Sequence, residues 1–428
     1  MLEPRTISRV LVADRGEVGA RLVRAVEAAG LESVAVFSDE DAEAAHLDEA
    51  AYAVRIPPSQ VGDPYMDAVG LVTAALDSGA DAVHPGFHGM SRNVEFARIV
   101  HNVGLAWLGP RLDDLEWTTD RAVARHRARD AGLELLPSSP LLHEPGDVGS
   151  WCERFGFPVV VRSGRRALGR TTVAHDVATA EKAVEGFGPA GGFVERALAS
   201  ARHVVVVVIG DGVGNAVHVG EHEASQRGAG GARLRECPSP GVDAALRERL
   251  CPAAADFLAA WRFLGVAAVH FLVGPDGRPW FSDVDAGLPE GFGLHDMVYG
   301  VDLVGAQVSI ASGEELGWDQ SDVELKGHAI EVVVSALKAG KVKKLVVPDA
   351  AGIDTVLAVR SSVDPARDPV LMRVRAKAPT RHAALVRARA TLEAVKIDGV
   401  TSDLGACLEM LADRAVWDGA TSAKVTDR

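Results

Sequence analysis

The sequence predicts an α/β chain that opens with a parallel sheet and continues as an α+β structure. Three observations carry that expectation. Residues 8–13 form a short Val-rich apolar run that ends in the turn Asp14-Arg15-Gly16-Glu17 and passes into a helical pattern. A second strand–turn–helix unit follows over residues 66–110, with Pro85-Gly86 and Gly109-Pro110 at strand ends. From residue 202 onward, apolar runs come in pairs joined by turn-rich tetrapeptides, which is the signature of hairpins.

In chain order, Val18, Leu22, Val23 and Val26 share one helical face, Gly30 closes that helix, and residues 31–37 read as a second buried strand. A helix is expected over 66–78 and strands over 82–84 and 105–108. Residues 120–132 form a polar, Arg-rich helix. Pro137-Ser138-Ser139-Pro140 then leads into a smaller lobe with strands expected at 158–162, 171–174 and 192–195. The runs 204–209 and 216–219 flank Asp211-Gly212-Val213-Gly214, and 271–273 and 280–283 flank Gly274-Pro275-Asp276-Gly277. Beyond residue 330 come short strands and a helix near 380–395.

Bulk properties exclude several classes of function. A length of 428 residues suggests roughly two to four packed units rather than one core. A net charge of -14 and 5% aromatic residues disfavour a nucleic-acid partner, which would call for a basic stripe or stacking rings. Cys152, Cys237, Cys251 and Cys407 are widely spaced with no CxxC pair, so neither a zinc site nor a disulfide framework is expected and a reducing cytoplasm is the default. The opening MLEPRTISRVLVADRGE has no apolar stretch of signal-peptide length, and the run 204–209 is too short to span a membrane.

The motifs Val12-Ala13-Asp14-Arg15-Gly16-Glu17, His84-Pro85-Gly86-Phe87 with Ser91, Asn93, Phe96 and Ala97, Leu108-Gly109-Pro110, Phe157-Pro158-Val159-Val160, Arg202-His203-Val204, Gly300-Val301-Asp302-Leu303, Gly327-His328-Ala329-Ile330-Glu331 and Ile397-Asp398-Gly399-Val400 occur in one ordered series. In order and spacing the series resembles the biotin carboxylases, in which the first two motifs usually read ANRGE and HPGYGFLSEN. The resemblance runs from about residue 8 to residue 412. It implies an ATP-grasp fold with a parallel α/β biotin carboxylase N-terminal domain at 1–115, an ATP-grasp domain at 116–315 with a lid lobe near 135–200, and a biotin carboxylase C-terminal domain at 316–428. Family members use ATP and Mg²⁺ to activate bicarbonate and then carboxylate biotin on a carrier. No Met-Lys-Met tripeptide occurs here, so biotin is not expected to be attached to this chain.

Carried over residue by residue, the resemblance places Arg121 and Arg162 at two ATP-contacting lysines; the planar guanidinium keeps the charge and changes the geometry. Glu195, Arg196 and Leu198 fall in the strand that holds adenine, and His203 at a histidine near the ribose and phosphates. His270, Asp283 and Asp285 stand where the family has glutamate, glutamate and asparagine for magnesium; imidazole is a poor ligand for that hard cation. The glycine-rich phosphate loop becomes Arg162-Ser163-Gly164-Arg165-Arg166-Ala167-Leu168-Gly169-Arg170. Here either Arg165, Arg166 and Arg170 replace backbone contacts by charge, or the loop is simply basic and solvated. Gly287 stands at the anion-stabilising arginine, Gly291 at the glutamate base, Ala232 at a lysine and Asp354 near a further arginine, which leaves Glu290 as a displaced candidate base.

General acid–base catalysis contributes roughly 10²–10⁴-fold and an oxyanion donor roughly 10²–10³-fold, so losing several such groups leaves little of the reaction. The expected function is therefore a non-catalytic or strongly impaired homologue, acting as a partner or regulatory subunit in a biotin-dependent acyl-CoA carboxylase system. The alternatives are an active biotin carboxylase subunit and an ATP-grasp carboxylate–amine ligase. Expected partners are a biotin carboxyl carrier protein or carboxyltransferase subunit, and a second copy or an active homologue in a dimer; neither nucleic acid nor membrane is expected.

Overall fold

The computed structural model describes residues 6–42, 44–59, 62–87, 89–166, 171–228, 231–348, 353–354, 361–420 and 423–424. Strands β1 (Arg9–Val12), β2 (Glu32–Phe37), β3 (Tyr52–Arg55), β4 (Ala82–His84) and β5 (Ala106–Trp107) form the parallel N-terminal sheet in the order β3-β2-β1-β4-β5. Val10 and Val12 pack on the face covered by helix α1 (Gly16–Ala28), whose Val18, Leu22, Val23 and Val26 are buried as the helical spacing predicts. Leu11 and Ala13 pack on the opposite face with helices α2 (Ala68–Asp77) and α3 (Val94–Asn102), following the two-residue period of a strand. The expected helix over 66–78 begins two residues later because Asp67 caps it, its carboxylate accepting from Val69 and Gly70 N–H.

Gly86 is required where it stands. It has φ +76, and a Cβ there would lie 2.3 Å from the Asp14 carboxylate. That carboxylate accepts from Phe87 N–H at 2.7 Å and so fixes the turn after β4 against the turn after β1.

Helices α4 (Leu112–Thr119) and α5 (Arg121–Asp130) lead into a three-stranded antiparallel sheet of β6 (Val159–Ser163), β7 (Thr171–Ala174) and β8 (Gly192–Arg196). Helices α6 (Val148–Phe155) and α7 (Val177–Glu185) cover it. The largest sheet starts at its edge with β13 (Pro279–Ala286), followed by β12 (Leu264–Val273), β9 (Ser200–Asp211), β10 (Ala216–Gly228), β11 (Gly231–Cys237) and β14 (His328–Ser335). It continues through the strand Val370–Ala378. The six-residue apolar run expected as a strand is the middle of β9 and is buried on both faces. Val204, Val206 and Val208 enter the core with helix α8 (Ala244–Ala260), and Val207 and Ile209 enter the core shared with α1.

A buried ionic node ties the ends of the chain together. Glu331 on β14 is fully buried and faces Arg235 of β11 at 2.7 Å, Arg375 at 2.7 Å and Arg373 at 3.5 Å. Arg373 in turn pairs with Glu17 in the first turn of α1. Burial alone would raise the Glu331 pKa, but the three arginines outweigh it and hold the carboxyl well below the usual range. Replacing Glu331 with Gln leaves the guanidinium groups without their shared counter-charge and is expected to destabilise the chain by about 3–5 kcal/mol, read as a lowered urea midpoint. An unchanged midpoint would show that the node contributes nothing net.

Candidate nucleotide and anion site

β12 and β13 pair antiparallel with His270 opposite Asp283. Asp283 and Asp285 are two residues apart on one strand, so both side chains leave the same face of β13. Both are buried, at 5% exposure each. Two adjacent carboxylates in such a place need cations beside them, and arginines from four segments provide them.

Arg121 opens α5, whose N-cap Asp120 accepts from Ala122 and Val123 N–H. Its Nε donates to Asp283 Oδ2 at 3.0 Å and its Nη1 to the Ser163 carbonyl at 3.0 Å. Arg162 on β6 donates through Nη2 to the same Asp283 oxygen at 3.0 Å and through Nη1 to the Ser282 carbonyl at 3.0 Å. Arg166 bridges the pair: Nη1 lies 2.7 Å from Asp283 Oδ2, and Nη2 donates to Asp285 Oδ2. Arg92, at the end of the turn Gly89–Arg92, brings its Nε to 3.1 Å from Asp285 Oδ1 as an ion pair without hydrogen-bond alignment. Burial by itself would raise the pKa of both aspartates. Arg166, Arg121 and Arg162 at Asp283, and Arg166, Arg92 and His270 at Asp285, overcome it and hold both carboxyls well below the ordinary range.

His270 Nε2 lies 3.1 Å from Asp285 Oδ2, and its Nδ1 lies 2.9 Å from His203 Nε2. An ionised carboxylate only accepts, so for neutral rings the His270 proton sits on Nε2 and Nδ1 accepts from His203. A second histidine pair lies deeper. His295 Nδ1 donates to the Val219 carbonyl at 2.7 Å, so its Nε2 accepts from His222 Nδ1 at 2.8 Å. That leaves His222 Nε2 as an acceptor beside Gly291; a Cβ on Gly291 would meet this nitrogen at 3.5 Å and Arg235 Cδ at 2.9 Å. Burial pushes His295 down to about 4 and His222 well below its ordinary value, so both rings are neutral near pH 7.

These groups surround a cavity of about 610 Å³. Of the expected site residues, Arg121, Arg162, His203, His270, Asp283, Asp285 and Glu290 line it. Glu290 contacts Arg235, the fifth arginine of the cavity lining. Glu195, Arg196 and Leu198 stand apart from that lining. The Glu195 carboxylate is taken up by Arg125 and lies 3.6 Å from Arg162, Arg196 points to solvent, and Leu198 packs in a small cluster with Leu136 and Leu272. The solvated-loop reading of Arg165 and Arg166 divides between them: Arg165 is 56% exposed and pairs with Asp120, whereas Arg166 is drawn inward between the aspartates. Arg170 and residues 229–230 lie outside the described residues, as does the Asp354 side chain.

Sequence reasoning missed Arg92, Arg125 and Arg235. Arg125 was accessible to it, since it stands one helical turn after Arg121 on α5. Arg92 was accessible too, as a reversed charge at the glutamate of the SEN triplet in the second motif.

His270, Asp283 and Asp285 do not fit a magnesium site. Among the described residues no group of three or more His, Cys, Asp or Glu is placed to hold a metal ion. Asp283 already accepts from Arg121, Arg162, Arg166 and, through Oδ1, Val284 N–H at 3.1 Å. Three guanidinium groups crowd Asp283 Oδ2, so a cation would have to compete with them for this carboxylate. What the arrangement supplies is an anion receptor, with five arginines against three carboxylates around one cavity.

Because both aspartates titrate below their unfolded value, the stability they confer is fully present above about pH 3.9 and is lost as the pH falls through the folded values. Acidification is therefore expected to weaken the hold of β6 and the arginine loop on β13 progressively from about pH 4 downward, read as a change in tryptophan fluorescence. The Asp283→Asn, Asp285→Asn double variant should show a shallower acid transition. An identical transition in the variant would remove the pair as its cause.

Known proteins share this framework. The family described as "Biotin carboxylase, N-terminal domain" matches residues 6–115, "Carbamoyl-phosphate synthase L chain, ATP binding domain" matches 120–318, and "Biotin carboxylase C-terminal domain" matches 334–428. The chain is 28% identical to biotin carboxylase 1 of Bacillus subtilis, over 98% of each chain. It is 30% identical to the biotin-dependent acyl-coenzyme A carboxylase alpha3 subunit of Mycobacterium leprae, over 99% of this chain and 74% of that one. The biotin carboxylase domain dimer of Hydrogenobacter thermophilus 2-oxoglutarate carboxylase, solved with MgADP, ADP and bicarbonate, superimposes with a TM-score of 0.92 at 25% identity, over 99% of this chain and 97% of that one.

Proposed function

The chain belongs to the biotin carboxylase family, and from that premise we propose that it is a non-catalytic member, a partner or regulatory subunit of a biotin-dependent acyl-CoA carboxylase system that keeps a nucleotide pocket. Its fold is that of the ATP-grasp biotin carboxylases.

The observation that carries the proposal is the engagement of Asp283 and Asp285 by the chain's own guanidinium groups. Arg235 adds to it by filling the space beside Gly291, where the family's base would project. A pocket without a place for magnesium and without that base lacks two provisions for making and using carboxyphosphate. The partners that follow from this reading are a biotinylated carrier, a carboxyltransferase, and a second copy or an active homologue. The placement that goes with this reading is cytoplasmic, on the ground of four widely spaced cysteines without a CxxC pair. Among the described residues no helix is long and apolar enough to cross a membrane.

One observation favours the second reading, an active biotin carboxylase. Glu290 lies on the cavity wall against Arg235, as a displaced base could. The two readings part in an assay of bicarbonate-dependent ATP hydrolysis with free biotin and Mg²⁺, run beside an active relative. The expected result is a rate at least about 10⁴-fold below the relative's, from the loss of a base and an anion donor together. A biotin-dependent rate within about 10²-fold of the relative's, lost on Glu290→Gln, would establish the second reading and end the first.

A further inference from the structure

Arg166 holds the position between Asp283 and Asp285 that a bound cation would need, with one nitrogen on each carboxylate. Magnesium demands near-octahedral oxygen coordination and dehydrates reluctantly. To enter here it would have to displace Arg166 from both aspartates and also compete with Arg121, Arg162 and Arg92. We propose that the cavity binds a nucleoside polyphosphate without a divalent metal, the Arg166 guanidinium supplying the positive charge that a metal would bring to the phosphates. The proposal rests on the reading of this cavity as a nucleotide pocket.

Three features of the cavity agree with that ligand. Five arginines line the cavity against three carboxylates, although the whole chain carries a net charge of -14. The cationic groups are arginines, whose planar forks match phosphate oxygens and remain charged at every physiological pH. Val160, Val205, Ala224 and Leu272 give the cavity an apolar wall for a flat heterocycle, and its volume lies within the usual range for a small-molecule site. The arginines are also held in place before any ligand arrives, since Arg162 is fixed by the Ser282 carbonyl and Arg121 by the Ser163 carbonyl. Pre-organised donors bind with less loss of side-chain freedom.

The test is calorimetric titration of the full chain with ADP, ATP and inorganic tripolyphosphate, each in EDTA and in excess Mg²⁺. Binding of ADP or ATP in EDTA, unchanged or weakened by Mg²⁺, is the expected result. Tighter binding of the nucleotides than of tripolyphosphate assigns the apolar wall to the base. Equal binding of all three would overturn the nucleotide part of the proposal. Binding at least about tenfold tighter with Mg²⁺, or no binding under either condition, would overturn the whole of it.

Arg166→Gln is expected to weaken binding in EDTA by at least about tenfold and to make it respond to Mg²⁺, because the guanidinium that bridges the two aspartates is then gone. Arg165→Gln, altering an exposed arginine that pairs with Asp120, should leave both isotherms as they are and controls for folding. Unchanged binding in EDTA for Arg166→Gln sinks the role given to that residue. The two proposals fail separately. Bicarbonate-dependent turnover with metal-indifferent binding removes the non-catalytic reading alone, and magnesium-dependent binding without turnover removes this one alone.

Discussion

The buried charge of Asp283 and Asp285 is the constraint on which the arrangement of the site depends. An isolated carboxylate in such a place would be held neutral or would cost several kcal/mol, and two on one strand face compound the problem. Their neutralisation recruits the first residue of α5, the end of β6, the loop after it and the turn before α3. Segments far apart in sequence therefore converge on the edge strand β13 for an electrostatic reason, and the cavity is the space they leave among them. The carbonyl contacts of Arg121 and Arg162 add direction to what would otherwise be an isotropic attraction.

Residues that differ from those the family resemblance implies contact one another in the structure. Arg92 stands at a glutamate and Asp285 at an asparagine, and these two altered residues face each other at 3.1 Å. Arg166 stands in a stretch that is glycine-rich elsewhere in the family and meets both aspartates. Asp285 without its arginine partners would be an unpaired buried charge. Together these residues compensate, so their effects on stability are coupled rather than additive. Substitutions accumulating without constraint would leave orphaned charges. Among the described residues Asp285 Oδ1 lacks a hydrogen bond, and it still has Arg92 as an ion partner.

Much of the fold was legible in the sequence because strand and helix periods are local. The α1 face, the glycine turns of the N-terminal sheet and both hairpin turns follow from spacing alone. Strand β3 escaped because it is an edge strand with exposed side chains and carries no burial pattern. Helix α8 escaped because Pro252 interrupts an alanine-rich stretch that has little amphipathic contrast. The site was legible in membership and not in pairing. His270, Asp283 and Asp285 were picked out, but the partner of Asp285 is 119 residues away in Arg166, and nothing local distinguishes an arginine drawn inward from its solvated neighbour Arg165. Glu195 was read as a ligand contact, and in the structure it serves Arg125, which no motif flagged.

The ionic node at Glu331 bears on how the chain comes into being on the ribosome. Glu17 is synthesised early and waits for Arg373, a partner 356 residues later in sequence. Until that strand emerges, the first turn of α1 holds a carboxylate on a surface destined for burial, without its arginine partner. The N-terminal sheet can therefore form during translation but cannot be electrically closed until the strand Val370–Ala378 has added to the large sheet. Completion of the fold therefore waits on the strand that carries Arg373, and a nascent chain stalled before residue 373 is an unfinished molecule that presents a charged seam to chaperones and proteases.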